Sequence, residues 1–414
     1  MRLYFLLFLL LVIGGIGAYF GWPLWRAEYH FRAATEAQTR RDFATARSHL
    51  AANIAADPRR SRDHFLLARV ARQSGAFDEA GDALNQCERL EGQTERIAME
   101  RALVQAQQGA MTPLQERHLQ LHVAQGHPDA LQILEALSVG CLVGYHFGKA
   151  HGYLSEWIDR DPGNYQPYLW RSMANERLQD FPVALDDARR AADLAPARFE
   201  TQLRLGEALL LNAENEEAAQ VFERLYQDHP GDPGVALGLA KSLQKLSRLS
   251  EAAVVLDAVV ARFPNDTSAI LERSRLAVQM NEVALADALL QKGVKLAPWD
   301  YVMQYTLLQC LKQQGKDTRA VEARLRRMEE DQAPLKDLNE KLKRSPNDLA
   351  LRCEIARIYL DAQNSKEAIN WLKSVVKMDP THPLANQMLA DYYEKTGQPA
   401  LAAPYRAALA GSPR

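Results

Sequence analysis

The chain has no surplus of charge of either sign. Its 414 residues hold 50 Lys and Arg against 52 Asp and Glu, a formal net charge of −2, so no global field draws it to nucleic acid or anionic lipid. Cysteine is scarce. Cys87, Cys141, Cys310 and Cys353 stand far apart and make no Cys-x-x-Cys pair, which removes zinc ribbons, thioredoxin-type redox chemistry and covalent haem attachment. Lone buried thiols are expected instead. No Gly-x-x-x-x-Gly-Lys-Ser/Thr loop, His-Glu-x-x-His helix, calcium loop or Gly-x-Ser-x-Gly elbow occurs. No catalytic residue, metal site or cofactor is therefore assigned, and the chain is not expected to be an enzyme. What remains is ordinary globular composition, 47% hydrophobic and 25% charged.

Against these absences stands one strong signal, a period. Pro162, Pro196, Pro230, Pro264 and Pro298 are each 34 residues after the last, and Pro128 lies one period earlier. Pro346 and Pro380 are again 34 apart. Ala150, Ala184, Ala218, Ala252, Ala286 and Ala320 form a second ladder, and Leu169, Leu203, Leu237 and Leu271, then Tyr305, a third. Within 197–230, apolar residues fall at helical intervals in two halves, Leu203 to Leu209 and Ala218 to Leu225, around the polar turn Asn212-Ala213-Glu214-Asn215. Pro230-Gly231-Asp232-Pro233 stops the second half and starts the next unit. Gly206 and Ala218 are small where two helices approach. One such hairpin cannot bury its own apolar stripe, so neighbours must stack.

The period and its residues resemble the tetratricopeptide repeat (TPR) family, whose unit length is about 34 residues. Leu205-Gly206, Ala218, Phe222 and Pro230 match that family's Leu-Gly, small Ala, aromatic and Pro. Departures are Leu209 for the usual Tyr, Gln202 for the usual Trp, and Arg171-Ser172 where Leu-Gly is expected. The resemblance covers nearly the whole chain after residue 25. It implies an all-α, right-handed α-solenoid of helical hairpins.

The amino terminus differs. After Arg2, an uncharged run from Leu3 to Trp25 has about the 20 residues a helix needs to cross a bilayer. Tyr19, Trp22 and Trp25 would lie at the far interface. An uncleaved signal-anchor is expected, rather than a cleaved signal peptide with its shorter apolar core. Arg2 and the free amine favour a cytoplasmic start, whereas Arg26, Arg32, Arg40 and Arg41 flank the other end. The expectation is a single-pass inner (cell) membrane protein with its repeats on the periplasmic side. Gly17 and Gly21 make a small-xxx-small pair that permits self-association.

The chain thus divides into an anchor (1–25), amino-terminal repeats (26–128), a regular array (129–298), an irregular unit (299–346) and two closing repeats (347–414). The third repeat, 93–128, is degenerate: Glu116 takes the small-alanine position, and Thr112-Pro113 begins its second helix as N-cap and first turn. His118, His122 and His127 fall in this region, with His146, His151 and Cys141 in the next; they read as polar decoration. Pro346 arrives 48 residues after Pro298, one repeat plus 14, and a long second helix kinked or broken at Pro334 is expected. The final helix looks too apolar for the polar outer face a terminal repeat needs.

In such solenoids the first helices line a concave surface. The resemblance implies that Leu169, Met173, Arg177, Leu203, Glu207, Leu210, Leu237, Lys241, Lys245, Leu271, Arg275, Tyr305, Gln309 and Lys312 face inward. That strip suits an extended or helical peptide with spaced apolar anchors and some acidic residues. The alternative is that the leucine row packs between neighbouring helices and meets no ligand. The expected function is a membrane-anchored scaffold binding protein or peptide partners, at a bacterial cell envelope. A structural spacer or oligomeriser is the alternative, followed by a metal-binding or enzymatic role for the histidine-bearing region.

Overall fold

Asp232, Asp266, Asp300 and Asp348 each sit two residues after a proline in the sequence, and each starts a helix. Their carboxylates accept the backbone N–H three residues on at 2.9–3.0 Å, in the computed structural model of the chain. Such N-caps are worth roughly 1 kcal/mol apiece. The structure describes residue 22 and residues 25–345, 348–362 and 364–411. Among these it has no strand. The chain divides into two compact units, 1–157 and 158–414, with the boundary inside helix α8.

Unit one holds α1 (25–39), α2 (Phe43–Ala56), α3 (Ser61–Gln73), α4 (Phe77–Glu91), α5 (Glu95–Gln107), α6 (Pro113–Ala124), α7 (Ala130–Val143) and most of α8 (Phe147–Arg160). Thr112 caps α6 in a full capping box with Gln115, and Pro113 stands in the first turn, as the sequence suggested. The degenerate Glu116 is not forced into an apolar seam. It accepts from Lys149 Nζ at 2.9 Å and from the Tyr153 hydroxyl at 2.6 Å. At Gly140 the α5 and α7 backbones meet so closely that a Cβ would lie 2.0 Å from the Ala106 carbonyl oxygen.

A polar core runs through this unit. Arg72, fully buried, donates to Glu100 at 2.6 Å and to Gln107 and Gln132 at 2.8 Å each. Arg69 donates to Glu100 at 3.2 Å and Asp129 at 3.0 Å, and Gln73 to Glu135 at 2.7 Å. Arg41, from the α1–α2 turn, reaches Glu135 at 2.5 Å.

Unit two continues with α9 (Tyr165–Arg177), α10 (Phe181–Leu194), α11 (Phe199–Leu211), α12 (Asn215–Asp228), α13 (Pro233–Lys245), α14 (Leu249–Arg262), α15 (Thr267–Gln279), α16 (Val283–Leu296), α17 (Tyr301–Gln313) and α18 (Arg319–Arg344). It closes with α19 (Leu349–Asp361), α20 (Ser365–Met378), α21 (Pro383–Lys395) and α22 (Pro399–Gly411). Each odd-numbered helix pairs with the next, and each hairpin packs on its successor. Ala184, Ala218, Ala252 and Ala286 are all buried at the pairing seam. Phe222 fills the space of two missing side chains: a Cβ on Gly206 would come within 2.7 Å of its ring, and one on Gly238 within 2.3 Å.

One position of the alanine ladder departs from its expected burial. Ala320 is exposed, because α18 begins at Arg319, two residues later than the repeat predicts, and Val321 packs on the α15–α17 core instead. The long second helix expected around Pro334 is present as α18, 26 residues with that proline inside it and no break. The last helix does expose apolar side chains, Leu401 at 50% among them, and Arg406, 34 residues after the fully buried Leu372, is the charge on it, bonded to Asp391 and Glu394 at 2.8 and 2.7 Å. The four cysteines are buried and unpaired, and burial pushes the Cys141 thiol up to about 12.

Among the described residues, the turn inside all but the α19–α20 hairpin places one residue in the left-handed region. Glycine fills it at Gly75, Gly109, Gly315 and Gly397, but Arg41, Tyr145, Gln179, Ala213, Ser247 and Asn281 hold φ of 58–64°. A side chain there costs about 1–2 kcal/mol, partly offset by the greater freedom glycine has when unfolded. Ser247→Gly is expected to stabilise unit two by about 0.5–1 kcal/mol and Ser247→Ala to change little, read as the urea midpoint.

Candidate functional site

The first helices of four successive hairpins, α9, α11, α13 and α15, turn one side to a common groove of about 1070 Å³. Its floor is the leucine ladder. Leu169 is buried; Leu203 and Leu237 are half-buried and pack on the core below while still lining the groove. From α9 to α13 the ladder thus packs against the helices below and lines the groove at once. Along the wall, one repeat position reads Met173, Glu207, Lys241 and Arg275, each exposed. Arg177, Leu210 and Lys245 complete the inward-facing residues expected from the sequence that the groove brings together.

The remaining four do not join it. The lining ends on α15 at Glu272, Arg275 and Gln279. Leu271 turns to the α15–α17 core. Tyr305 stacks on Tyr301, 6.4 Å between ring centres, on α17. Gln309 is exposed on α17, and Lys312 pairs with Glu322 of α18 at 3.1 Å.

Electrostatics inside the groove turn on a residue the sequence reading passed over. Arg204 is buried and donates to the Ser172 hydroxyl at 2.8 Å and the Ser172 carbonyl at 3.2 Å, while pairing with Glu176 and, at 3.5 Å, with Glu207. Its partners lie up to 32 residues back, on the previous hairpin, so no local period displays it. Partial desolvation raises the Glu207 carboxyl above its ordinary range; Arg204 opposes this and Glu176 adds to it. On the next two helices Glu272 is shared by Arg275 at 3.4 Å and Lys241 at 3.8 Å. Nothing in the groove joins a nucleophile to a base; its chemistry is shape, apolar surface and charge.

The His118, His122 and His127 rings follow one another, 5.1 and 5.2 Å between centres, and His127 Nδ1 accepts the Asp129 backbone N–H at 3.1 Å. Among the described residues no group of three or more His, Cys, Asp or Glu is placed to hold a metal ion.

Models of the tetratricopeptide repeat match residues 31–90, 171–233, 212–272 and 328–412. The chain belongs to the tetratricopeptide repeat family. TPR arrays typically serve as scaffolds for protein–protein interaction, binding protein or peptide partners. No curated protein matches the sequence closely enough to report. Among solved structures, MamA from Desulfovibrio magneticus RS-1 is 19% identical over 41% of this chain and 96% of its own, with a TM-score of 0.39. A TPR protein from Parabacteroides merdae is 14% identical over 69% and 99%, at 0.37. TTC0263 from Thermus thermophilus is 20% identical over 47% and 99%, at 0.36. Membership rests on the sequence models and the hairpin geometry, not on these superpositions.

The expected anchor over 1–25 lies outside the described residues, apart from Trp22 and Trp25. Among the described residues no helix is long and apolar enough to cross a membrane. Trp22, Trp25 and Tyr29 are exposed and stack in a row, 5.3 and 5.8 Å between ring centres.

Proposed function

We propose that this TPR chain is a membrane-anchored scaffold that holds a segment of a partner protein in the α9–α15 groove. The observation that carries the proposal is the groove itself: four first helices line it, three of them supply its leucine floor, and Met173, Glu207, Lys241 and Arg275 stand exposed above it. A peptide laid along it covers apolar surface that the fold leaves open, and charged rims fix its register. The anchor is supported by the uncharged run Leu3–Trp25, and the exposed Trp22–Trp25–Tyr29 row suits a headgroup layer. Arg2 favours a single inner-membrane pass with the repeats on the periplasmic side. Digestion of the array by protease added to spheroplasts tests this; protection of the array contradicts that side.

Site-specific photocrosslinking tests the groove. A crosslinker at Met173 or Lys241 of the full chain in cells is expected to give discrete adducts. One at Val254, 71% exposed on α14 and outside the groove lining, is expected to give none of them. The same adducts from Val254, or adducts from Val254 alone, would refute groove binding.

A further inference from the structure

We infer that the groove is divided along its length, and that it selects a segment bearing apolar side chains at one end and carboxylates at the other. The inference rests on the groove being a peptide site. The α9–α11 end is an apolar platform with the exposed Arg177 at its edge: Met173 is 46% and Leu211 44% exposed, with Leu210 half-buried beside them. Glu176 and Glu207 at this end are already engaged by the buried Arg204.

The α13–α15 end is different. Lys241, Lys245 and Arg275 face a single lining carboxylate, Glu272, held at long distances by two of them. Lys245 has no ion-pair partner among the described residues. Gln244, between the two lysines, has its Nε2 buried without an acceptor. This end is therefore rich in donors with Glu272 as its one carboxylate, so a ligand that fits it brings acceptors of negative charge. The repeat itself makes the division visible, since one structural position changes from Met173 through Glu207 to Lys241 and Arg275. Two helix-to-helix steps of about 10 Å separate the middles of the two ends. An extended chain covers that distance in about six residues, at about 3.3 Å each. The ligand is thus a segment with an apolar pair and, about six residues away, two Asp or Glu side chains.

Selection of random peptides of about 16 residues, displayed inside a carrier loop with no free carboxyl end, tests this on the full chain in detergent. The wild-type pool is expected to enrich an apolar pair with Asp or Glu about five to seven positions away. Lys241→Glu/Lys245→Glu should shift the distant positions to Lys or Arg, keep the apolar pair, and weaken wild-type-selected peptides about tenfold at low salt. Met173→Asp/Leu211→Asp, changes on exposed side chains, should remove the apolar preference. A pool without acidic bias, or a bias that survives charge reversal, overturns the division while the groove reading stands if Met173→Asp/Leu211→Asp still abolishes binding. Insensitivity to both double variants, or no enrichment at all, overturns the groove reading and the division with it.

Discussion

Glu100→Gln is expected to cost unit one about 3–5 kcal/mol, because it leaves a buried guanidinium without its counter-charge. Arg72 is fully buried on α3 and Glu100 on α5 is its only carboxylate partner among the bonds at 2.6–2.8 Å that hold it; Gln107 and Gln132 supply neutral oxygens. A glutamine at 100 keeps the size and removes the charge, so the loss is electrostatic rather than a cavity. The Arg96–Glu91 pair is the control. It is bonded at 2.6 Å but its arginine is 44% exposed, and Glu91→Gln should cost no more than about 1 kcal/mol. Urea unfolding followed by fluorescence of the buried Trp157 reads both. A loss below about 1 kcal/mol for Glu100→Gln would mean that the neighbouring amides hold Arg72 unaided.

The same pair sets a dependence on pH. Burial pushes the Glu100 carboxyl up, but Arg72 and Arg69 outweigh it and hold the group below its ordinary range. A carboxyl with a depressed folded pKa gives stability that is whole above its unfolded value, about 4.3, and is lost as pH falls through the folded value. Wild-type unit one should therefore weaken below about pH 4, and Glu100→Gln should flatten that slope.

Much of this fold is legible in the sequence, because one period governs both apolar packing and turn placement. The alanine ladder, the proline stops, the Thr112-Pro113 start and the length of the insertion before Pro346 all follow from spacing alone. Features set by partners on another hairpin are not legible that way. Arg72 and Glu100 are 28 residues apart, and the matching pair three hairpins on, Glu176 and Arg204, has its charges exchanged, so no ladder of one residue type marks them. Arg204 is hidden for the same reason, since its acceptors Ser172 and Glu176 belong to the preceding unit. Ala320 misled because the ladder fixes sequence spacing, whereas burial follows the helix start, and α18 starts late. The ladder follows the groove lining through α13; on α15 Leu271, and on α17 Lys312, are claimed by neighbours that the ladder does not show.

Pro334→Ala is expected to stabilise unit two by about 3 kcal/mol, the difference between the two residues inside a helix. Leu325, Met328, Leu335, Leu338 and Leu342 keep one stripe across the proline. The 14 inserted residues are close to four turns of about 3.6, so the stripe stays in phase. The first half of α18 serves the α17 hairpin, where Val321 packs. The second half packs Leu335, Leu338 and Leu342 on Ile355 of α19. One helix thus closes one hairpin and founds the next, and Pro334 lies between the two duties. Its ring is exposed, so alanine loses no packing while restoring a backbone N–H and relieving the crowding of the carbonyl four residues back. Pro334→Gly separates the causes: it restores the N–H but keeps glycine's helix penalty, so it should gain about 2 kcal/mol. The expected order of urea midpoints is alanine, then glycine, then proline. A Pro334→Ala chain no more stable than wild type would show that packing of the second half on α19 depends on the proline, and the prediction would fall.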